Sequence, residues 1–175
     1  LVWQDEKVHL VFEKRSKMLR RQPGEISFPG GKLEENETTF ECAIRETMEE
    51  LCLERGQIEI LGVGDQYLSP FNLLLHTYFC VIKDYQGTFN PDEVEEIILV
   101  PLDYLKTHEP YRFMNHIVSE LAKDFPYEWI PEGENYNFLK GTYDILFYHY
   151  KDIKIWGMTA KILQSALRLL DDFFE

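Results

Sequence analysis

"FPGGKLEENETTFECAIRETMEEL", residues 28–51, sets two glycines behind a proline and then seven glutamates, with no aspartate, within twenty-four residues. Thr38 followed by Glu41 has the spacing of a capping box, and Phe40, Ala43, Ile44, Thr47, Met48 and Leu51 recur at helical period. A helix is therefore predicted over 38–51, with that stripe toward the core. Glu46, Glu49 and Glu50 fall on another face at i, i+3 and i+4, where their carboxylates can converge. Two carboxylates about 5 Å apart repel by roughly 3 kcal/mol at an effective dielectric near 20, a cost that a divalent cation turns into binding energy. Taken alone, the same face also reads as solvated surface.

The chain around this segment has 175 residues, 45% of them hydrophobic and 14% aromatic, which fits one globular domain over 1–175. No apolar run approaches the roughly eighteen residues of a membrane helix, and the first residues lack the basic start and apolar stretch of a secretory signal. Cys42, Cys52 and Cys80 are odd in number and widely spaced, which suggests a reducing, cytoplasmic setting. A net charge of −13 argues against nucleic-acid and membrane-surface partners, both of them anionic. Against that background, residues 13–32 carry Lys14, Arg15, Lys17, Arg20, Arg21 and Lys32 opposite only Glu13 and Glu25. A basic island in an acidic chain suits a small anionic ligand.

Strands are predicted in the β-branched and aromatic runs at 7–15, 57–68 and 143–150, and the long apolar run at 73–85 reads as a buried strand. An acidic loop and a short strand are expected over 90–105, and a closing helix over 158–174. Residues 104–134 are poorly patterned. Strands interleaved with two helices indicate an α/β layered domain.

Gly31, then Glu37, then "RETMEE" at 45–50 together resemble the signature of the Nudix hydrolases, which cleave nucleoside diphosphates linked to another moiety. Thr47, where that pattern has an aliphatic residue, and Cys52, where it has a glycine after the helix, depart from it at packing or capping positions. The resemblance implies an α/β/α sandwich with a mixed central sheet. It also implies Glu46 and Glu50 as metal ligands, Glu49 as a third ligand or the base, and Arg45 holding Glu49 across one helical turn. Oxygen donors without His or Cys nearby suit Mg²⁺ or Mn²⁺. Gly31 would let the backbone approach metal or phosphate. Glu37 reads as structural, its charge favourable at a helix start. Glu93, Glu95 and Glu96 lie where several Nudix hydrolases supply a catalytic glutamate; Glu93 is the candidate, against a solvated loop.

Upstream, Arg15, Ser16, Arg20, Gly24 and the run from Phe28 through Pro29 and Gly30 to Gly31 are similar to an additional motif of coenzyme A pyrophosphatases, as is "IWGMTA" at 155–160. That likeness implies hydrolysis of coenzyme A or its acyl derivatives to 4′-phosphopantetheine, or its acyl form, and adenosine 3′,5′-bisphosphate. Coenzyme A carries a 3′-phosphate beyond its pyrophosphate, and arginine binds phosphate bidentately, so Arg15 and Arg20 are the substrate-binding candidates with Gly30 and Gly31. Trp156 is expected in the core, with stacking on adenine as the competing role. The alternatives are a pyrophosphatase for ADP-ribose or another dinucleotide, and an inactive Nudix-like binding module.

Overall fold

The computed structural model describes residues 1–174, with side chains through Leu170, so the last residue of the expected 1–175 domain lies outside the described residues. Strand β2 (Lys7–Arg15) is the centre of the first sheet, pairing with β1 (Val2–Gln4), β3 (Ile26–Ser27) and β6 (Val94–Pro101). Its alternation divides the core. Leu10 and Phe12 point into one cluster, with Ile26, Leu146, Ile155 and Leu163; Val11 points into a second, with Leu51, Leu53, Ile58 and Ile82. Helix α1 (Thr39–Leu51) closes the second cluster and α3 (Gly157–Phe174) the first, which gives the expected α/β/α layering.

Hairpin β4–β5 (Ile58–Leu68 and Leu74–Ile82) forms a two-stranded sheet, and β7 (Tyr111–Ile117), β8 (Gly141–Tyr150) and β9 (Ile153–Trp156) a third. The ladders among the described residues are all antiparallel. The mixing of strand directions expected in the central sheet is therefore carried by no ladder. β9 nevertheless lies beside β3, with Cα atoms within 8 Å, closer than the ~10 Å between stacked sheets. Thr159 Oγ1, in the first turn of α3, ties that helix to β3 by donating to the Ile26 carbonyl at 3.0 Å.

Several expectations are corrected. A third helix, α2 (Leu102–Thr107), follows β6 directly, buried through Leu102 and Leu105; it is too short to show a period. The run at 73–85 is not a buried strand. Only Ile82 of β5 is buried, and Leu74 is exposed, because the hairpin is covered over part of its length only. In α1 the predicted stripe is half-buried except for Leu51, whereas Cys42 and Glu50 are buried. The reason is the backbone at Gly30 and Gly31, which lies over the Cys42–Glu46–Glu50 face. No helix among the described residues is long and apolar enough to cross a membrane.

Candidate active site

Helix α1 begins as its sequence demands. Thr38 Oγ1 accepts from Glu41 N at 3.2 Å while Thr38 N donates to Glu41 Oε2 at 2.8 Å, a complete capping box. It ends at Cys52 in the left-handed region (φ 52°, ψ 51°), with Leu53 N donating to the Met48 carbonyl at 3.0 Å. This is the conformation glycine favours, so the departure at Cys52 falls on a capping position.

Between those ends, Cys42, Glu46 and Glu50 recur every four residues on one side. Gly30 N donates to Glu50 Oε2 at 2.8 Å. Gly31 rests so closely on Glu46 that a methyl group there would sit 2.2 Å from the carboxyl carbon. The two glycines thus lay bare backbone over two carboxylates, and Gly30, at φ +149°, adopts a conformation that side chains rarely take.

Glu13 joins from β2. It is fully buried; Oε1 accepts from Ser27 Oγ at 3.1 Å, Arg15 Nη1 stands 3.9 Å away, and Oε2 has no partner. Burial, joined by the Glu93 charge for Glu13 and by the Glu13 and Glu46 charges for Glu50, outweighs the local hydrogen bonds. It pushes the Glu13 carboxyl up to about 7 and the Glu50 carboxyl up to about 8. Glu46 is also raised, chiefly by burial. Glu93, half-buried, adds charge repulsion to both Glu13 and Glu46, which places it beside this group. Glu95 is instead engaged at the surface by Lys14 at 2.8 Å and Lys17 at 3.3 Å, and Glu96 is exposed.

Arg45 organises the outer side. Nε and Nη2 donate to Glu37 at 3.1 and 2.8 Å, while Nη1 donates to Glu46 at 2.9 Å and to Glu49 at 3.1 Å. The expected Arg45–Glu49 contact is present, and the same guanidinium steers Glu46. Bonding to Arg45 holds the Glu37 carboxyl down at about 2. Glu49 is 54% exposed and meets Glu46 on the shared Arg45 Nη1, whereas Glu50 is buried.

The loop after β5 is fastened to this helix. Thr88 Oγ1 donates to the Leu51 carbonyl at 2.7 Å and Asn90 N to the Glu50 carbonyl at 2.8 Å, satisfying two C-terminal carbonyls. Glu93 N then donates to Asn90 O at 3.1 Å, and the Glu93 carbonyl accepts from Ser16 N at 2.8 Å.

Of the residues predicted from sequence, Glu46, Glu50, Gly30, Gly31, Arg45 and Glu93 come together, with Arg15 at the inner edge, its Nε buried and unpartnered. Arg20 is exposed on the loop between β2 and β3. Glu13 is the member that sequence reasoning missed. It shares a strand face with Lys7, His9, Val11 and Arg15, so the sequence offers no apolar pattern there for it to break. Among the described residues no three His, Cys, Asp or Glu side chains already surround one point at coordinating distance. The donor chemistry still fits a hard divalent cation: buried carboxylates with raised pKa values, one unpartnered oxygen, and a glycine cradle with no room for a side chain.

A family model described as "NUDIX domain" matches residues 1–120. Over 121 residues the chain is 33% identical to the mouse protein named "Peroxisomal coenzyme A diphosphatase NUDT7", covering 68% of this chain and 50% of that one. It is 29% identical over 177 residues to "Nudix hydrolase 3" of Caenorhabditis elegans, covering 98% of this chain and 70% of that one. Among solved structures, a C. elegans Ap4A hydrolase binary complex superposes with a TM-score of 0.48 at 17% identity, covering 55% of this chain and 71% of that one. The chain thus spans about half the length of the mouse relative.

Proposed function

This chain belongs to the Nudix family, and on that premise we propose that it is a divalent-cation-dependent pyrophosphohydrolase acting on coenzyme A or its acyl derivatives. The carrying observation is the pair Glu46 and Glu50, held under the bare backbone of Gly30 and Gly31 with Glu13 against them. Glu46 and Glu50 would hold Mg²⁺ or Mn²⁺, with Glu13 adding buried charge from β2. When bound, the cation polarises the pyrophosphate and acidifies water.

The chain's own residues supply the rest. Arg45 fixes the Glu46 and Glu49 carboxylates. Glu49 and Glu93 are the two candidates to take the proton from the attacking water, Glu49 from the solvent side and Glu93 from beside Glu13 and Glu46. Water adds across the P–O–P linkage, releasing two phosphate monoesters. Arg15, next to Glu13, would bind the pyrophosphate, and the exposed Arg20 the 3′-phosphate. The substrate class is supported by the motif at 15–31 and by the mouse relative's name. The core shared by β2, β3, β8, β9 and α3 supports one domain.

The test is product analysis of coenzyme A incubated with the protein and Mg²⁺ or Mn²⁺. Equimolar 4′-phosphopantetheine and adenosine 3′,5′-bisphosphate are expected, with about a hundredfold or greater loss in Glu50→Gln. Arg20→Ala should lower kcat/KM about tenfold or more for coenzyme A and much less for dephospho-coenzyme A, which lacks the 3′-phosphate. Turnover of ADP-ribose but not coenzyme A would refute the substrate. Binding without turnover of either would refute the enzyme.

A further inference from the structure

Hairpin β4–β5 is not evenly paired. Val63 opposes Tyr78 and Gln66 opposes His76, so Gly64 and Asp65 together face the single residue Thr77, which makes a β-bulge. Thr77 Oγ1 locks it by donating to the Asp65 carbonyl at 2.7 Å, and Gly64 leaves no room for a side chain against Thr77. Such bulges re-aim the side chains they carry. Here Asp65 is turned onto α3, where Ser165 Oγ donates to its carboxylate.

Strand alternation places this contact on the face turned away from α1. Tyr78 Oη is 2.7 Å from Thr39 Oγ1 at the start of α1, whereas its neighbours on β5, Thr77 and Phe79, point the other way, and Phe79 packs against the core covered by α3. Between that face and the helix lies a cavity of about 270 Å³, walled by Asp65, Thr77 and Phe79 on the hairpin and by Lys161, Ile162 and Ser165 on α3. It falls just below the ~300–1,000 Å³ of pockets that hold drug-sized ligands, which excludes a dinucleotide and leaves a small metabolite. Its walls hold one charge of each sign. Lys161 lies one helical turn before Ser165, yet no ion pair joins Lys161 or Asp65 to the other or to a further described residue.

We propose that this cavity binds a free aliphatic α-amino acid, with its ammonium on Asp65, its carboxylate on Lys161 and its side chain against Phe79 and Ile162. A ligand of single charge satisfies one wall group and repels the other. A neutral sugar leaves both charges unmatched and lays hydroxyls on Phe79 and Ile162. An α-amino acid sets both charges around one carbon and directs an apolar body away from them. The site lies on the opposite face of the hairpin from α1, so it is independent of the pyrophosphohydrolase reading.

Binding of three probes to the full chain is measured by titration calorimetry in EDTA: L-leucine, isovalerate, which lacks the ammonium, and isoamylamine, which lacks the carboxylate. L-leucine is expected to bind with a Kd below about 3 mM, and each single-charge probe at least about tenfold more weakly. Asp65→Asn and Lys161→Met should each weaken L-leucine at least about tenfold. Lys154→Met, on exposed β9 outside the cavity, should leave it within about twofold. Lys161→Met spares the bulge and its bonds, so it tests the site even where Asp65→Asn fails to fold. A wild-type Kd for L-leucine above that limit overturns the inference. So does either single-charge probe binding within tenfold of L-leucine, or Lys161→Met keeping its affinity, or Lys154→Met losing it. No turnover is read, so hydrolysis of coenzyme A, present or absent, leaves the outcome unchanged.

Discussion

Replacing Glu13 by Gln should stabilise the cation-free protein and weaken its response to cation. Glu13 is fully buried, its Oε2 is unpartnered, and Glu50 beside it is 4% exposed. Holding an ionised Glu13 carboxylate in this burial, where its charge also bears on Glu50, costs roughly 3 kcal/mol. Glutamine removes one of those charges at nearly constant shape. Its Oε1 still accepts from Ser27, and its amide can donate toward Glu50, so no new buried group is left unsatisfied. For a chain of this size each kcal/mol moves Tm by about 2–4 °C, so Tm in EDTA at pH 8 should rise by about 6–12 °C. Wild type in Mg²⁺ at a hundred times Kd gains about 2.7 kcal/mol, and the variant should gain visibly less. Thermal melts of both proteins in EDTA and in saturating Mg²⁺ make the comparison. A variant Tm in EDTA equal to or below that of wild type would refute the reasoning, since it would mean that Glu13 and Glu50 do not oppose each other.

The pH course follows from the same pair. Glu13 and Glu50 keep their protons to about 7 and 8, whereas in the unfolded chain they lose them near 4.5. Between those values the folded state binds more protons, so stability in EDTA is full below 4.5 and falls as pH rises to 8; a flat Tm from pH 5 to 8 would contradict this. Glu37, held at about 2, acts oppositely at the acid end, its contribution fading as pH drops from 4.5 toward 2, and Glu37→Gln should remove that part of the acid-melt curve. Gly31→Ala should cut turnover about a hundredfold with little change in Tm, because its methyl group displaces the Glu46 carboxyl; activity within threefold of wild type, measured under the same conditions, would exclude the close approach as a requirement. Cys52→Gly should raise stability by about 1 kcal/mol by relieving the left-handed cap, read from denaturant melts.

Much of the scaffold was legible in the sequence because its signals are local. Strand β2 coincides with the run at 7–15, and α1 starts where Thr38 and Glu41 place it. Gly31 was readable as a point of close backbone approach, and its backbone lies directly on Glu46. What escaped depends on distant chain. Glu13 becomes part of the site only when β2 carries it beneath Glu50, and a lone acid in a strand does not announce that neighbour. Trp156 sits in an apolar stretch beside α3, and only the alternation of β9 against a covered Ile155 turns it outward. Strand β7 is largely exposed on both faces, so it has no two-residue alternation to detect.

The loop that delivers Glu93 is fastened at both ends by main-chain atoms, Asn90 N on the Glu50 carbonyl and the Glu93 carbonyl on Ser16 N. Such bonds belong to the chain's path and not to the identity of the side chains along it. Residues 91 and 92 can therefore change in composition without moving Glu93, whereas the insertion or deletion of a single residue between 90 and 93 would shift it relative to Glu46 and Glu13 together. The site is in this sense encoded by a length: the count of residues from the helix terminus to β6 sets the position of a carboxylate that the chemistry of the intervening residues does not.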